Sequence, residues 1–247
     1  MACHLGKFRK GESTPAEDEY VEAIYARHER GQKRIRAGEI RSDLKVKGSS
    51  VTQMLKKLEK KGLVHYDLYG GVELTRKGWS HGLLIKRRHR LAERLLKDVL
   101  GYDLASVHDE ACKLEHVLND EVADKISRII GDVKTCPHGN PIPSKQGEAG
   151  KLEAVSLIDI EEGEECTIQA IPEDKEDVQR LIPFNILPGA SVKVVEKTPF
   201  GTIMVQSCRG TQLALSSDIA SKILVKPHGE EKRHGHRHGF GWKLKRG

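Results

Sequence analysis

No run of about 20 consecutive apolar residues occurs in the 247-residue chain, so a transmembrane helix is not expected. The first twenty residues, MACHLGKFRKGESTPAEDEY, lack the apolar core of a secretory signal. Disulfide-framework spacing is missing as well. The five cysteines, at 3, 112, 136, 166 and 208, are scattered and odd in number. Such a set fits a reducing cytoplasm, where a lone thiol is core filler or a ligand. Internal repeats, a nucleophile triad, a phosphate loop and paired catalytic acids are also absent, so an enzyme is not expected. With 37% hydrophobic and 32% charged residues the chain reads as soluble and mostly folded, long enough for two or three small domains. A net charge of +6, unevenly distributed, suggests an anionic partner.

From Ser13, STPAEDEYVEAIYARHERG carries Ser, Thr and Pro at its start, acids in its first turn and Gly at its end, with Tyr20, Val21, Ile24 and Tyr25 at helical spacing. A short helix over 36–44, a turn at Lys45–Gly48 and a serine-capped helix over Ser49–Lys61 follow. Two helices joined by a short Gly-containing turn are a helix-turn-helix. LVHYDLYGGVELTRKG alternates around Gly70-Gly71, which predicts a β-hairpin and so a winged helix. A recognition helix reads base edges from its N-terminal residues while nearby cations meet phosphate. Ser49, Ser50, Thr52 and Gln53 suit the first task. Arg36, Lys45, Lys47, Lys56 and Lys57 suit the second, and Val51, Leu55 and Leu58 are expected core.

Farther on, GWSHGLLIKRRHRLAERLLKDVLG predicts a long helix, and two more follow, the second over Glu121–Asp132. The first of the pair, VHDEACKLEHVLNDEV, places His108, Cys112, Glu115 and His116 on one stripe, because positions three and four apart are helical neighbours. His89 and Glu93 are spaced likewise on the long helix, and Glu19 and Glu22 on the first. Singly, His89 reads as a phosphate or surface contact, Glu93 as an i,i+4 partner and Glu22 as a solvated group. Jointly, they make a thiolate, imidazole and carboxylate mixture suited to first-row transition metals. TCPHGNPIPSKQGEAG reads as a boundary loop. Beyond it CTIQAI, SVKVVEK, GTIMVQS and TQLALSS predict strands of a small β-barrel. Cys136, His138, Cys166 and Cys208 are expected to have no metal role, and the tail histidines (His228, His234, His236, His238) to be solvated.

KRRHRLAERLLKDVLGYDLASVHDEACKLEHVLNDEV, together with DEYVEAIY, SSVTQMLKKLEKKGLV, LTRKG and GNPIP, resembles the diphtheria toxin repressor family of metal-dependent transcriptional repressors across residues 13–143. The resemblance extends more loosely into the β-rich part. It implies a mainly α chain with a β-rich C-terminal part. The expected segments are an extension (1–12), a winged helix-turn-helix (13–75), a helical dimerisation and metal-binding domain (76–138), a linker (139–152), an SH3-like, FeoA-type domain (153–227) and a His-rich basic tail (228–247). By match, Cys112, Glu115 and His116 supply the activating metal site, with Glu19 and Glu22 from the first helix. His89, Glu93 and His108 supply an ancillary site, to which Asp174 and Asp177 of the SH3-like part would add. Glu19 stands where iron-type members carry Met and manganese-type members Asp, while Cys112 follows the iron type, so the ligand set is a hybrid. The resemblance further implies a cytoplasmic homodimer on a palindromic double-stranded operator of metal-uptake genes. Fe²⁺ is the expected effector, with Mn²⁺ the alternative and Co²⁺, Ni²⁺ or Zn²⁺ as substitutes in vitro. A cytosolic metal buffer would use the same ligands without needing Gln53 or a wing.

Overall fold

The computed structural model describes residues 13–146, 148, 150 and 152–228. The 1–12 extension and tail residues 229–247, including His234, His236 and His238, lie outside them. The chain divides into two units, Met1–Leu152 with Glu173–Val178, and Glu153–Pro172 with Gln179–Gly247.

In the first unit, α1 (Pro15–Glu29) starts with a capping box: the Glu17 backbone N–H bonds the Thr14 hydroxyl, and the Glu17 carboxylate accepts the Thr14 N–H. Its buried face is Tyr20, Val21, Ile24 and Tyr25. The turn from α2 (Ala37–Leu44) to α3 (Gly48–Lys60) puts Lys45 in the left-handed region at φ 53°. The predicted serine cap is not formed. Lys47 is the N-cap and makes no side-chain cap bond, so α3 starts one residue early and leaves Ser49 and Ser50 exposed. Strands β1 (Val64–Asp67) and β2 (Gly71–Leu74) pair antiparallel, Val64 opposite Leu74 and Asp67 opposite Gly71. Ile35 adds a bridge to Val72, which buries both against Val51, Leu55 and Leu58. Gly71, at φ +90°, is required there, since a Cβ would stand 2.7 Å from the Ile35 carbonyl. Winged helix-turn-helix is therefore the observed arrangement.

The long helix α4 (Arg76–Arg94) continues into a π-turn at Leu95–Val99. Its first turn lies against the preceding chain so closely that a Cβ on Gly78 would meet the Leu63 carbonyl oxygen at 1.9 Å. Helices α5 (Val107–Glu115) and α6 (Asp120–Ile129) pack on α4 through Leu91, Ala92, Leu96, Val107, Ala111, Ala123 and Ile126. Helix α6 stops short of the predicted Asp132 because Gly131 and Asp132 are both left-handed.

The second unit is an antiparallel sheet of six strands in the order β3-β8-β4-β5-β6-β7: β3 (Val155–Ser156), β4 (Glu165–Ala170), β5 (Ser191–Lys197), β6 (Thr202–Ser207), β7 (Gln212–Ser216) and β8 (Leu224–Pro227). Alternation in β4 to β7 made those four legible. Register shifts at Ile168/Ala170 and Val194/Glu196 mark bulges that bend the sheet. Strands β3 and β8, too short to show a period, were not foreseen, nor were α7 (Lys175–Leu181) and α8 (Ser217–Lys222). His228, assigned to the tail, instead continues β8, its ring 2.7 Å from the Thr167 hydroxyl. Among the described residues no helix is long and apolar enough to cross a membrane.

Candidate metal centres and DNA-binding helix

Helix α4 turns His89 and Glu93 into the protein, and both are fully buried. His89 Nδ1 lies 2.7 Å from Glu115 Oε2, and its Nε2 lies 3.2 Å from Glu93 Oε1 and 3.1 Å from His108 Nδ1. Cys112 Sγ is 3.7 Å from His108 Nε2 and 4.0 Å from His89 Nδ1. Three donor sets result, each with its ligand atoms within 4.8 Å of one another: His89, His108 and Cys112; Glu22, His89 and Glu115; and Glu93, Cys136 and His138. His89 belongs to two of them, so the structure presents a continuous chain of donors rather than two separate groups.

His116 reaches Glu115 Oε1 at 3.4 Å and Asp18 Oδ2 at 3.6 Å. Glu19 is exposed, and the inward residue is Asp18, which also lies 2.6 Å from His81 Nε2. One residue is about 100° of helix, so Asp18 and Glu22, four apart, share a face that Glu19 leaves. Asp174 caps its own turn by accepting the Glu176 N–H, and Asp177 is buried. From this segment the carboxylate that approaches His108 is the preceding one, Glu173, at 3.8 Å, beside Glu93 at 3.6 Å. Cys136 and His138, expected to have no such role, stand in the third donor set. Their Cys-x-His spacing in a Pro/Gly loop was the available signal. Nothing local marked Glu173, His81 or Lys86.

The charges explain how acids and thiols tolerate this burial. Burial disfavours the Cys112 thiolate, but His108 and His89 draw its pKa down to about 7. Burial would discharge His108, yet Cys112, Glu93 and Glu173 raise it to about 10. Glu115 is raised to about 7 by burial, with the Glu22 carboxylate adding to the rise. Burial opposes ionisation of Glu93, but His89 and then His108 and His138 hold it well below the usual range. Protons on imidazoles thus supply the positive charge. A divalent cation fits this donor set on one further observation: Glu93 Oε2 is buried without a hydrogen-bond partner. His138 Nδ1 stands 3.1 Å from Glu93 Oε1. An orphaned carboxylate oxygen of this kind is costly unless something satisfies it.

On α3 the outward face is Ser49, Ser50, Gln53, Lys56 and Lys57, with Thr52 half-buried and bonded back to the Gly48 carbonyl. Arg36 and Lys47 are exposed at the N-caps of α2 and α3. Lys57, its side chain half exposed, has its ammonium 3.2 Å from buried Glu17.

A winged helix on helices that gather thiol, imidazole and carboxylate donors defines a DNA-binding class of protein with metal-ligand chemistry at its core. Family models agree. The iron dependent repressor N-terminal DNA binding domain matches residues 13–72, its metal binding and dimerisation domain matches 75–144, and the FeoA domain matches 155–227. The diphtheria toxin repressor of Corynebacterium glutamicum is 34% identical over 218 residues, covering 83% of this chain and 93% of the relative. The iron-dependent repressor IdeR of Mycobacterium leprae is 30% identical over 219 residues, covering 83% and 94%. Among solved structures, a manganese-dependent transcriptional repressor in complex with manganese superposes with a TM-score of 0.80 at 29% identity, over 85% of this chain and 99% of that one. IdeR of T. acidophilum does so at 0.74 and 26% identity, over 87% and 99%. The chain belongs to the diphtheria toxin repressor family of metal-dependent transcriptional repressors.

Proposed function

We propose that this chain binds a palindromic operator as a homodimer when a divalent cation is held between α1, α4 and α5, and so represses metal-uptake genes. The observation that carries the reading is the donor chain itself, which ties Glu22 of α1, a helix of the winged-helix core, to His89, Glu115, Cys112 and His108 of the helices behind it. Cys112, Glu115, His116, Asp18 and Glu22 would hold one cation. Glu93, His108, Cys136, His138 and Glu173 would hold a second, with His89 between the sets. A bound cation supplies positive charge that replaces protons and links helices that otherwise meet through ion pairs. It raises DNA affinity only as far as it prefers the DNA-competent arrangement.

On α3, Gln53 is placed to read an adenine edge, and Lys56 with Lys47 to meet phosphate. The free N-terminal N–H groups of α3 favour a phosphate there too. Exposed Val99, Leu100, Tyr102, Val117 and Ile129 give the helical part an apolar surface suited to a second copy. Fe²⁺ is the effector we favour, since Cys112 and Cys136 are soft donors. Manganese is the second reading, favoured by the all-carboxylate and imidazole set Glu22, His89 and Glu115. Anaerobic titration of an operator duplex with Fe²⁺ and with Mn²⁺ decides between them. A response to neither, with metal bound, would leave a metal-buffering protein.

A further inference from the structure

Lys86 precedes His89 by three residues on the inward face of α4, and it is 4% exposed. Its ammonium lies 2.8 Å from Glu22 Oε1 and 3.6 Å from Glu173 Oε2. Both carboxylates belong to the donor chain. Glu22 is gathered with His89 and Glu115, and Glu173 approaches His108. Two carboxylates within ion-pair reach offset the burial of its ammonium charge. Core packing alone calls for no ammonium at this position, since a methionine fills a similar volume without a buried charge to offset. The lysine therefore places a fixed positive charge on the carboxylates that a cation would need.

We propose that Lys86 is an internal counter-ion that competes with the effector cation for Glu22, and so sets the free-metal concentration at which the protein responds. The inference rests on the metal-dependent reading above. Without metal, the ammonium supplies part of the charge these carboxylates require and ties α1 to α4. With a cation on the Glu22 carboxylate, ammonium and cation share one buried anion and repel each other in a medium of low effective dielectric. Metal loading then includes the separation of Lys86 from Glu22. Lys86 positions and tunes the donors. It has no lone pair to offer while it is charged, so it is not itself a ligand.

The test is competitive titration of Mn²⁺ against a chromophoric chelator for wild type, Lys86→Met and Lys86→Arg. Lys86→Met should bind Mn²⁺ about tenfold more tightly or better, as removal of one like charge at close range implies. Lys86→Arg should stay near wild type. In chelator, Lys86→Met should unfold at a lower temperature than wild type, because Glu22 and Glu173 lose their partner, and Mn²⁺ should restore more of the loss than it adds to wild type. A purely structural lysine predicts the reverse sign for affinity, a loosened site and weaker binding. Should Lys86→Met fail to fold, the metal-bound wild-type crystal structure answers instead, with Lys86 Nζ expected beyond about 4 Å from Glu22, past ion-pair reach. Equal or weaker Mn²⁺ binding by a folded Lys86→Met overturns the proposal alone. So does an intact Lys86–Glu22 pair in the loaded protein. A wild type that binds no metal overturns the functional reading and this inference with it.

Discussion

The Glu17 carboxylate at the start of α1 accepts the ammonium of Lys57 on α3 at 3.2 Å and that of Lys61 at 2.8 Å, and the Glu17 side chain is fully buried. One acid thus caps its own helix and anchors the recognition helix. Glu17→Ala removes the capping box and strands two lysines, which should cost about 2–3 kcal/mol in urea denaturation. Lys57→Ala should cost no more than about 1 kcal/mol, because Lys57 is half exposed and Lys61 remains.

The outward face of α3 divides by task. Gln53→Ala should reduce the preference for operator over random duplex by about 1–3 kcal/mol. Lys56→Ala should weaken both duplexes alike and flatten the salt dependence. Competition anisotropy at two salt concentrations separates them, and equal losses for Gln53→Ala would remove that residue from the groove.

Gly78→Ala should be among the most destabilising single-methyl additions in the protein. The new Cβ meets a backbone carbonyl, Leu63, that also accepts the Thr75 N–H at 3.0 Å and cannot swing aside as a side chain would. A loss of about 3 kcal/mol or more is expected from forced overpacking. A Tm within a degree of wild type would contradict the close approach of α4 to the wing.

Metal affinity should rise with pH across neutrality. Cation binding needs the Cys112 thiolate and the Glu115 carboxylate, both of which titrate at about 7. Metal-free stability should move the other way on account of Glu115. Its pKa is raised from 4.5 to about 7, so the fold holds a proton that the unfolded chain has already lost, and that contribution disappears as pH climbs through this window. Chelator-treated protein melted at pH 5 and pH 7.5, against a Glu115→Gln variant, reads this term. A difference between the two pH values that is the same in the variant would assign it elsewhere.

Where the sequence was read correctly, the signal was periodic and local. Val51, Leu55 and Leu58 fix the face of α3, and Gly70-Gly71 the hairpin. Spacing along one helix brings His89 to Glu93, and the fold brings both to His108. What was missed depends on contacts between distant segments. Lys86 and Glu173 are 87 residues apart in sequence and 3.6 Å apart in space. The choice of Asp18 over Glu19 turns on one step of helical phase, which the buried pair Val21 and Tyr25 specifies only once α1 is known to lie against α4. Cys136 and His138 sit in a loop with no period to read, and only the arrival of Glu93 from α4 gives them a common neighbour.

The central claim, that DNA affinity is controlled by a cation held through Cys112 and its neighbours, is tested most directly by operator binding measured anaerobically at increasing free Fe²⁺ and Mn²⁺ for wild type, Cys112→Ala and Cys112→Glu. Little binding is expected in chelator, and a rise of about a thousandfold with Fe²⁺ in wild type, roughly 4 kcal/mol of preference for the DNA-competent state. Cys112→Ala should respond more weakly to both metals, and Cys112→Glu should shift toward Mn²⁺. Wild-type binding that is equal with chelator and with metal, or activation curves that Cys112→Ala leaves unmoved, would contradict that claim.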